Sequence, residues 1–449
     1  MSRKVVIIYP PNNTELFSIS PPLGALYLTS YLREKNVNVE FFDFNIIKYW
    51  IKKAHQIVDE EPQIIALSSN VANFSNTIYL AKIIKELNSD LKIVVGGPYP
   101  SCIPEKYLNY EYIDFVCIGE GESTLYELIN KGSQVNGLMR KKKGSIHFTG
   151  KRELIQDLDK IPFPALDLVN IKKYNYIFQR KKPLSNIITS RGCPYNCTFC
   201  FHGVHGYRWR ARSPKNVVDE MKWQVNELGV KEMCVWDDNF TFNGKRVEKI
   251  CDLLKQEKLD FIWQCPNGLR VDKVTKKVLK NMKNAGCYSI VLAPETGDPY
   301  IIKKIQKGFS LEETEQVFQW CKELDFFTPI YIMIGFPFEN LNHIQNTLNF
   351  LKKVKPDIIS IHKFYPFPNT PIYEEYNLKS YENEGYQTAK IEKDFQKIYA
   401  NTYLTFYLNP KNLINITSKM GLKYLLNSSY KYLSRNFKEI IKRKIRVSL

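Results

Sequence analysis

The stretch that decides the fold is Ser190-Arg191-Gly192-Cys193-Pro194-Tyr195-Asn196-Cys197-Thr198-Phe199-Cys200, in which three cysteines follow the spacing C-x3-C-x2-C. A loop this short can direct three thiolates at one metal centre. A structural zinc site has four protein ligands, whereas a cubic iron–sulfur cluster held by three cysteines keeps one iron free to bind a small molecule. The spacing therefore favours an open cluster. The alternatives are a zinc site completed by His202 or His205, and a disulfide with one spare thiol.

The composition is that of a large, ordered globular chain. The sequence has 449 residues, of which 44% are hydrophobic, enough for two or three domains with buried cores. The other seven cysteines are scattered among apolar runs, as buried small residues are: Cys102, Cys117, Cys234, Cys251, Cys265, Cys287 and Cys321. Because neither a signal peptide nor an apolar run of membrane-spanning length is visible, we expect a reducing, cytoplasmic environment.

The positive charge is concentrated at one end of the chain. The formal net charge is +18, and the segment from Lys411 onward contains ten Lys or Arg and one acid, Glu439. We interpret this segment as a solvated outer helix, with peripheral contact to an anionic membrane as the second interpretation. The rest of the chain is only mildly basic, so its charge does not call for a nucleic-acid partner.

Residues 1–135 alternate short apolar strands with helices, the pattern of a doubly wound parallel sheet in an α/β fold. Strands are predicted at 5–9, 38–43, 64–68, 92–96 and 115–118. Ligands of such sheets bind at the carboxyl ends of the strands. Glycines lie at two of these ends, in Gly96-Gly97 and in Gly119-Glu120-Gly121-Glu122, where they would let the backbone approach a ligand closely. Ordinary turn glycines are an equally good interpretation of either pair alone.

A second alternation follows a connector at residues 136–182, in which we expect a hairpin over 137–149 and an extended proline-held segment at 158–164. Residues 183–375 predict strands at 185–188, 232–236, 261–266, 288–292, 329–334 and 358–362. Six such units are typical of a partial (β/α)6 barrel, whose functional residues lie at the C-terminal strand ends. The cysteine loop follows the first of these strands. The region 376–449 is predicted to be a helical, basic tail.

Polar residues follow four more of these strands. They are Asp237-Asp238-Asn239, Asn267 with Arg270, Pro294-Glu295-Thr296-Gly297, and Gly335-Phe336-Pro337 with Glu339. Each group alone is explained by capping or turn formation. Because all of them follow strands of one barrel, we expect them to ring a single mouth together with the cysteines.

The stretch from Arg191 to Cys200 resembles the cluster loop of radical S-adenosylmethionine (SAM) enzymes, with Phe199 just before the third cysteine. Six further stretches resemble, in the same order, the branch of that superfamily with an N-terminal cobalamin-binding domain: Pro21-Pro22-Leu23-Gly24, Gly96-Gly97-Pro98, Gly119-Glu120-Gly121-Glu122, Asp237-Asp238-Asn239-Phe240-Thr241-Phe242-Asn243, Ala293-Pro294-Glu295-Thr296-Gly297 and Ile334-Gly335-Phe336-Pro337. The stretch Tyr365-Pro366-Phe367-Pro368-Asn369-Thr370-Pro371 does so too. The resemblance covers about residues 5–375 and implies a cobalamin-binding Rossmann-like domain followed by a radical SAM barrel.

This resemblance implies that Cys193, Cys197 and Cys200 hold a [4Fe-4S] cluster whose free iron binds SAM. One electron from the reduced cluster would split a carbon–sulfur bond of SAM, and the resulting 5′-deoxyadenosyl radical would take hydrogen from an unactivated C–H bond. The protein's share would be positioning and the exclusion of water and oxygen. The residues that the resemblance assigns to SAM are Phe199, Ile334 and Gly335 near the adenine, and Asp237 and Glu295 near the methionine or ribose polar groups.

The resemblance also implies a cobalamin site in the first domain. The residues it assigns to that site are Pro22, Leu23, Gly24, Ser69, Gly96, Gly97, Gly119, Glu120 and Gly121. Cobalamin domains that ligate cobalt from below use D-x-H-x-x-G, and this sequence lacks that motif. Cobalamin would therefore bind without a histidine from it. The alternative is a degenerate domain that binds no cofactor.

The order of the two domains predicts a cobalamin-dependent radical SAM methyltransferase that acts on an unactivated carbon. A radical enzyme of the same build that cyclises or rearranges its substrate is the first alternative. A tRNA methylthiotransferase-like enzyme is less favoured, because its first domain supplies three cysteines to a second cluster and this one has only Cys102 and Cys117. A non-enzymatic zinc protein is the last. The expected partners are a small-molecule or lipid-like substrate and an electron donor such as a flavodoxin or ferredoxin.

Overall fold

The first domain is built on a seven-stranded sheet. The computed structural model describes residues 4–12, 18–142, 144–378 and 392–421. The strands are β1 (Val5–Tyr9), β2 (Val39–Asp43), β3 (Ile64–Ser68), β4 (Lys92–Gly96), β5 (Phe115–Cys117), β6 (Leu138–Lys142) and β7 (Ser145–Phe148). They are ordered β2-β1-β3-β4-β5-β6-β7. The first five are parallel, as predicted. The hairpin β6–β7, which we placed in the connector, pairs antiparallel with β5 and extends this sheet.

Helices cover both faces of this sheet. They are α1 (Leu23–Glu34), α2 (Trp50–Asp59), α3 (Phe74–Leu87), α4 (Pro98–Cys102), α5 (Pro104–Leu108) and α6 (Glu122–Lys131). Alternate residues of β1 enter two different cores: Val5 and Ile7 join one, and Val6 and Ile8 join the other. Successive strand side chains point to opposite faces, so an all-apolar strand needs cover on both. The sequence VVIIY therefore already requires a doubly wound arrangement.

The second domain is built on a six-stranded parallel sheet in the order β15-β14-β13-β12-β11-β8. Its strands and those of a small two-stranded pair are β8 (Leu184–Ile187), β9 (Ser190–Arg191), β10 (Arg210–Ala211), β11 (Glu232–Val235), β12 (Ile262–Leu269), β13 (Cys287–Glu295), β14 (Pro329–Ile334) and β15 (Ile358–Lys363). The helices are α7 (Pro214–Leu228), α8 (Gly244–Glu257), α9 (Lys276–Asn284), α10 (Pro299–Lys304), α11 (Leu311–Glu323), α12 (Leu341–Val354) and α13 (Pro371–Glu375). Six parallel strands in chain order confirm the partial barrel.

The amino end of this barrel is closed by the connector. Tyr176 and Phe178 pack there against Leu184, Cys234 and Tyr288. These aromatic side chains fill the space between the first residues of the strands, so this end of the barrel is packed with aromatic and aliphatic side chains. In the part of the chain that the structure describes, five short 3-10 helices lie between the larger elements: Leu158–Lys160, Leu166–Leu168, Ile171–Lys173, Phe240–Phe242 and Val271–Lys273.

Two further helices, α14 (Glu392–Tyr407) and α15 (Pro410–Met420), follow the barrel. Helix α14 lies along β15, where the Tyr403 hydroxyl accepts the Ile361 N–H at 3.1 Å and the Tyr407 hydroxyl donates to the Ile359 carbonyl at 3.3 Å. These bonds provide partners for two backbone groups on the free edge of β15. Residues 379–391 and 422–449 of the predicted basic tail lie outside the described residues. Among the described helices, none has the length and apolar character needed to cross a membrane.

Candidate functional site

The cysteine loop is fixed at the carboxyl end of the barrel by backbone bonds. Thr198 donates its N–H to the Ile305 carbonyl at 3.1 Å and accepts the Ile372 N–H at 3.0 Å. The loop is thus held between the ends of α10 and α13. Within the described residues all cysteines are free thiols, including the three of the loop, so the structure does not form the disulfide that the spacing allowed.

Two consecutive aspartates hold the stem of this loop. The Asp237 carboxylate accepts the Thr189 N–H and the Ser190 hydroxyl, each at 2.6 Å, and the Thr189 hydroxyl as well. Asp238 accepts the Gly192 N–H at 2.9 Å. Gly192 has a φ of +83°, and a Cβ there would lie 2.5 Å from the Arg208 carbonyl oxygen, so only glycine fits. The structure places Asp237 as a support of the loop stem, and its contact with SAM stays a prediction.

Two buried cations lie beside the second cysteine. The Arg270 guanidinium is 3.7 Å from the Cys197 sulfur, and the Lys307 ammonium bonds to Glu295 at 2.9 Å. A hydrogen bond with Cys200, together with these two cations, lowers the pKa of Cys197 to about 6. The thiolate, which is the form that binds iron, is therefore favoured at neutral pH. Lys307 was not among the predicted site residues, because nothing in the sequence distinguishes it from the other lysines.

Two predicted SAM-binding segments come together next to the loop. Phe199 lies 6.2 Å from Phe336, ring centre to ring centre. The backbone before Phe336 turns at Gly335, with a φ of +105°. Glu339 holds this turn, because its carboxylate accepts the N–H groups of Gly335 and Phe336. Burial raises the pKa of Glu339 to about 7. The structure therefore juxtaposes Phe199 with the turn after Ile334, and the contact of these residues with the adenine of SAM stays a prediction.

Buried polar atoms without a hydrogen-bond partner occur in several parts of the described structure, among them Ser185 Oγ and Gln264 Oε1 within the strands. Seven belong to the segments that follow β8, β11 and β14: Thr198 Oγ1, His202 Nε2, Trp236 Nε1, both polar side-chain atoms of Asn239, Thr241 Oγ1 and Glu339 Oε1. Buried polar groups are almost always paired in folded proteins, so these atoms fit a polar ligand bound here. Together with three free thiols, one of them with a lowered pKa, the mouth fits an iron–sulfur cluster and a nucleoside-bearing amino acid such as SAM.

Both candidate histidine ligands have other contacts. The His205 Nδ1 lies 3.1 Å from the Glu120 carboxylate, and the His202 ring stacks on Tyr207 at 4.1 Å. Within the described ranges, no three His, Cys, Asp or Glu side chains surround a single metal ion. Cluster thiolates each bind a different iron and need not converge on one point. The arrangement favours the cluster over a zinc site completed by histidine.

The carboxyl edge of the first sheet brings Ser69 and the glycine pair together. A Cβ on Gly97 would lie 2.4 Å from the Ser69 carbonyl oxygen, and the Ser69 hydroxyl lies 2.7 Å from the Tyr107 hydroxyl. In Pro22-Leu23-Gly24, Leu23 is buried whereas a Cβ on Gly24 would meet nothing within 4 Å. Backbone and small side chains thus form this edge, which fits a large flat cofactor.

One predicted cofactor residue of this edge points elsewhere. The Glu120 carboxylate reaches into the second domain, 2.8 Å from Arg210 and 3.2 Å from Arg191. A Cβ on the neighbouring Gly119 would lie 3.7 Å from the Val204 carbonyl oxygen. The segment 119–121 therefore borders the second domain, and its contact with a cofactor stays a prediction.

The carboxyl edges of the two sheets face each other. Phe201, directly after the third cysteine, packs with Phe367 against a core of the first domain. The Asn369 side chain donates to the Cys102 carbonyl oxygen at 2.6 Å. These residues all follow the carboxyl ends of strands, β8 and β15 in the second domain and β4 in the first. The structure thus brings the two predicted cofactor edges to one interface.

Comparison with known proteins matches both halves of the chain. Residues 187–351 match the model of the Radical SAM superfamily, and residues 11–129 match that of the B12 binding domain. The uncharacterized methyltransferase PH0819 of Pyrococcus horikoshii is 31% identical over 443 residues, which cover 92% of this chain and 94% of that protein. An anaerobic magnesium-protoporphyrin IX monomethyl ester cyclase of Cereibacter sphaeroides is 26% identical and covers 83% of this chain and 63% of its own.

Solved structures agree with the fold. The cobalamin-dependent SAM radical enzyme OxsB, with aqua-cobalamin bound, gives a TM-score of 0.72 at 21% identity, over 84% of this chain and 61% of that one. The radical SAM methyltransferase TsrM of Kitasatospora setae gives 0.71 at 18% identity, over 83% and 76%. With both family models matched in order and a full-length relative above 30% identity, the chain belongs to the radical SAM enzymes that carry an N-terminal cobalamin-binding domain.

Proposed function

We propose that the protein is a cobalamin-dependent radical SAM methyltransferase that acts on an unactivated carbon of a small molecule. The observation that carries this proposal is the meeting of two sites at one interface. The loop with Cys193, Cys197 and Cys200 extends from the barrel mouth, and the residue after it packs into the domain that matches the B12 family. A methyltransferase among its relatives and a TsrM-like fold support the assignment.

When bound, the cluster supplies the electron that cleaves SAM, and cobalamin supplies the methyl group. The chain's own residues hold and shield these groups. Cys193, Cys197 and Cys200 would hold three irons, and Arg270 and Lys307 balance the thiolate charge next to Cys197. Phe199 with Phe336 would wall the nucleoside side of the mouth and exclude water.

Cobalamin would lie against the edge formed by Gly24, Ser69 and Gly96-Gly97. No D-x-H-x-x-G histidine is present in the sequence, so this edge would hold the cofactor without a cobalt ligand from that motif. A small-molecule substrate would reach the reacting groups at the interface, and a flavodoxin or ferredoxin would supply electrons from outside. Cytoplasmic location, and contact of the basic tail with an anionic membrane, belong to this proposal.

A radical reaction without methyl transfer is the second candidate, because a cyclase is among the relatives that cover most of this chain. The two candidates differ in the fate of SAM. Methylation consumes a second SAM as methyl donor and releases S-adenosylhomocysteine, whereas cyclisation or rearrangement releases 5′-deoxyadenosine alone.

The test is anaerobic reconstitution of the full chain with iron, sulfide and hydroxocobalamin, followed by gel filtration. We expect about four irons per chain and one retained cobalamin, read from its visible absorption. With dithionite and SAM, both 5′-deoxyadenosine and S-adenosylhomocysteine should form when small-molecule extracts are added as a source of candidate substrates. Formation of 5′-deoxyadenosine without S-adenosylhomocysteine would favour the second candidate, and a colourless, zinc-loaded protein would overturn both.

A further inference from the structure

A buried charge cluster joins the two domains at the base of the cysteine segment. Its members are Glu120 and Glu122 from the first domain, and Arg191 and Arg210 from the second. The Arg191 guanidinium bonds to Glu120 at 3.2 Å and to Glu122 at 2.7 Å. Arg210 bonds to both oxygens of Glu120, at 2.8 and 3.1 Å. All four side chains are at most 8% exposed.

The two arginines occupy a special place in the chain. They are register partners in the two-stranded pair, where Arg210 lies opposite Arg191. The segment between them, 192–209, contains all three cysteines. The β9–β10 pair is therefore the neck of the cysteine segment, and one carboxylate, that of Glu120, binds both sides of this neck.

Glu120 is also satisfied from other directions. It accepts the Ile155 N–H at 2.8 Å, from the connector, and lies 3.1 Å from His205, within the cysteine segment. It follows Gly119, whose φ is +80°. The fixed backbone of the first sheet thus ends in a carboxylate that contacts the neck, the segment and the connector at once. Burial raises the free-energy cost of an unpaired charge, so loss of any one partner would destabilise the remaining charges of the cluster.

We propose that Glu120 is a positioning residue that clamps the neck of the cysteine segment to the first domain and thereby fixes the separation of the two cofactor sites. The statement about the cofactor sites rests on the proposed function, whereas the clamp itself does not. Glu120 contacts no cysteine and acts through Arg191 and Arg210. This role differs from the cofactor contact that the sequence resemblance implied for it.

The test of the clamp is amide hydrogen exchange of the full chain as purified, without added cofactors. Glu120→Gln removes the charge but keeps the size of the side chain. Because hydrogen bonds to charged groups are the strong ones, amides of residues 192–209 should exchange on the order of 10- to 100-fold faster, while those of β12 and β13 stay unchanged. Unchanged exchange in 192–209 would overturn the proposal.

The matched control is Glu232→Gln, an equally buried carboxylate at the amino end of β11 that contacts neither the neck nor the first domain. It should speed exchange near residues 180–181 and leave 192–209 as in the wild type. If both variants instead loosened the whole chain to the same extent, Glu120 would have only a general structural role and the clamp would be wrong.

Should Glu120→Gln not fold, Glu122→Gln removes the single bond to Arg191 at 2.7 Å. Faster exchange confined to 192–209 would then support the clamp, and no change would refute it.

A second measurement concerns the separation of the cofactor sites. In wild-type protein loaded with cobalt(II) cobalamin and a reduced cluster, the dipolar coupling between the two electron spins should correspond to a single, narrowly distributed separation. In Glu120→Gln it should broaden or weaken, although iron and cobalamin contents stay equal; an identical coupling would overturn the positioning role. A protein that binds neither group would contradict the proposed function, and the exchange result would still decide the clamp.

Discussion

The two ends of the second-domain sheet differ in the buried charged and thiol groups that they carry. At the amino end, the Glu232 carboxylate accepts four hydrogen bonds, from the N–H groups of Arg180 and Lys181 and from Tyr288 and Gln264, all between 2.6 and 2.8 Å. At the carboxyl end, three free thiols lie beside the cations of Arg270 and Lys307. Buried polar atoms without a partner in the described residues occur in both parts of the sheet: Thr198 Oγ1 and the Asn239 amide after strands, and Ser185 Oγ and Gln264 Oε1 within them.

This difference separates stability from function along the same strands. The Glu232 carboxylate has a full set of four donors, and aromatic side chains pack beside it, so this group needs no ligand. The carboxyl end combines unpaired polar atoms with three free thiols and two cations, a set that fits a metal cluster and a polar ligand. Parallel barrels place chemistry at the carboxyl end and stability at the amino end, and the thiols and cations of the cysteine loop follow that division.

The largest expected effect is that of Cys197→Ala at the carboxyl end. Loss of one of three thiolates should abolish the cluster, and with it reductive cleavage of SAM, while the fold is retained. Iron content and the visible absorption that dithionite bleaches measure this. The matched control is Cys265→Ala, a buried cysteine of β12 outside the loop, which should keep the cluster and lose about 1 kcal/mol of stability. A Cys197→Ala protein that retains its cluster would show that the loop has another role.

At the amino end, Glu232→Ala should act on stability alone. Removing the carboxylate leaves two backbone N–H groups and the Gln264 side-chain amide buried without an acceptor, at about 1–3 kcal/mol each. We expect the free energy of unfolding to fall by at least about 3 kcal/mol, measured in urea, with cluster content per folded chain unchanged. Loss of iron from the folded variant would show that Glu232 also supports the cluster site, and would contradict the proposed difference between the two ends.

The pH dependence of stability tests Glu339 at the carboxyl end. Burial raises its pKa from 4.5 to about 7, so the folded state binds the proton more tightly than the unfolded state. Stability from this group is therefore full at pH values below 4.5 and is lost as the pH rises towards 7. Glu339→Gln mimics the protonated acid. The free energy of unfolding of this variant, relative to that of the wild type, should increase by on the order of 1–3 kcal/mol when the assay pH is raised from about 5 to about 8. A difference that does not change with pH would contradict the raised pKa.

The smallest expected effect is that of His202→Phe. The ring stacks on Tyr207, and phenylalanine keeps that contact. We expect unchanged iron content and a change of less than about 1 kcal/mol in the free energy of unfolding. A marked loss of metal in this variant would revive ligation by histidine.

The pattern of strands and helices predicted most of the fold. The apolar strands are buried on alternating faces, and this local signal located every strand of the six-stranded sheet within a few residues. No helix was predicted at the position of α2, although its buried residues Ala54, Ile57 and Val58 lie on one face at helical spacing. The hairpin β6–β7 was found, but its pairing with β5 was not, because such pairing depends on residues distant in the chain.

The sequence by itself determined the three-cysteine loop and its place after the first barrel strand, because the spacing of ligands and the period of apolar residues are local properties. Only the tertiary structure decided which charges meet. It placed Lys307 and Arg270 beside Cys197, kept Asp237 on the loop stem, and turned Glu120 from its own sheet towards Arg191 and Arg210. Coulomb forces and burial act between residues that are close in space whatever their separation along the chain, and no local pattern records them.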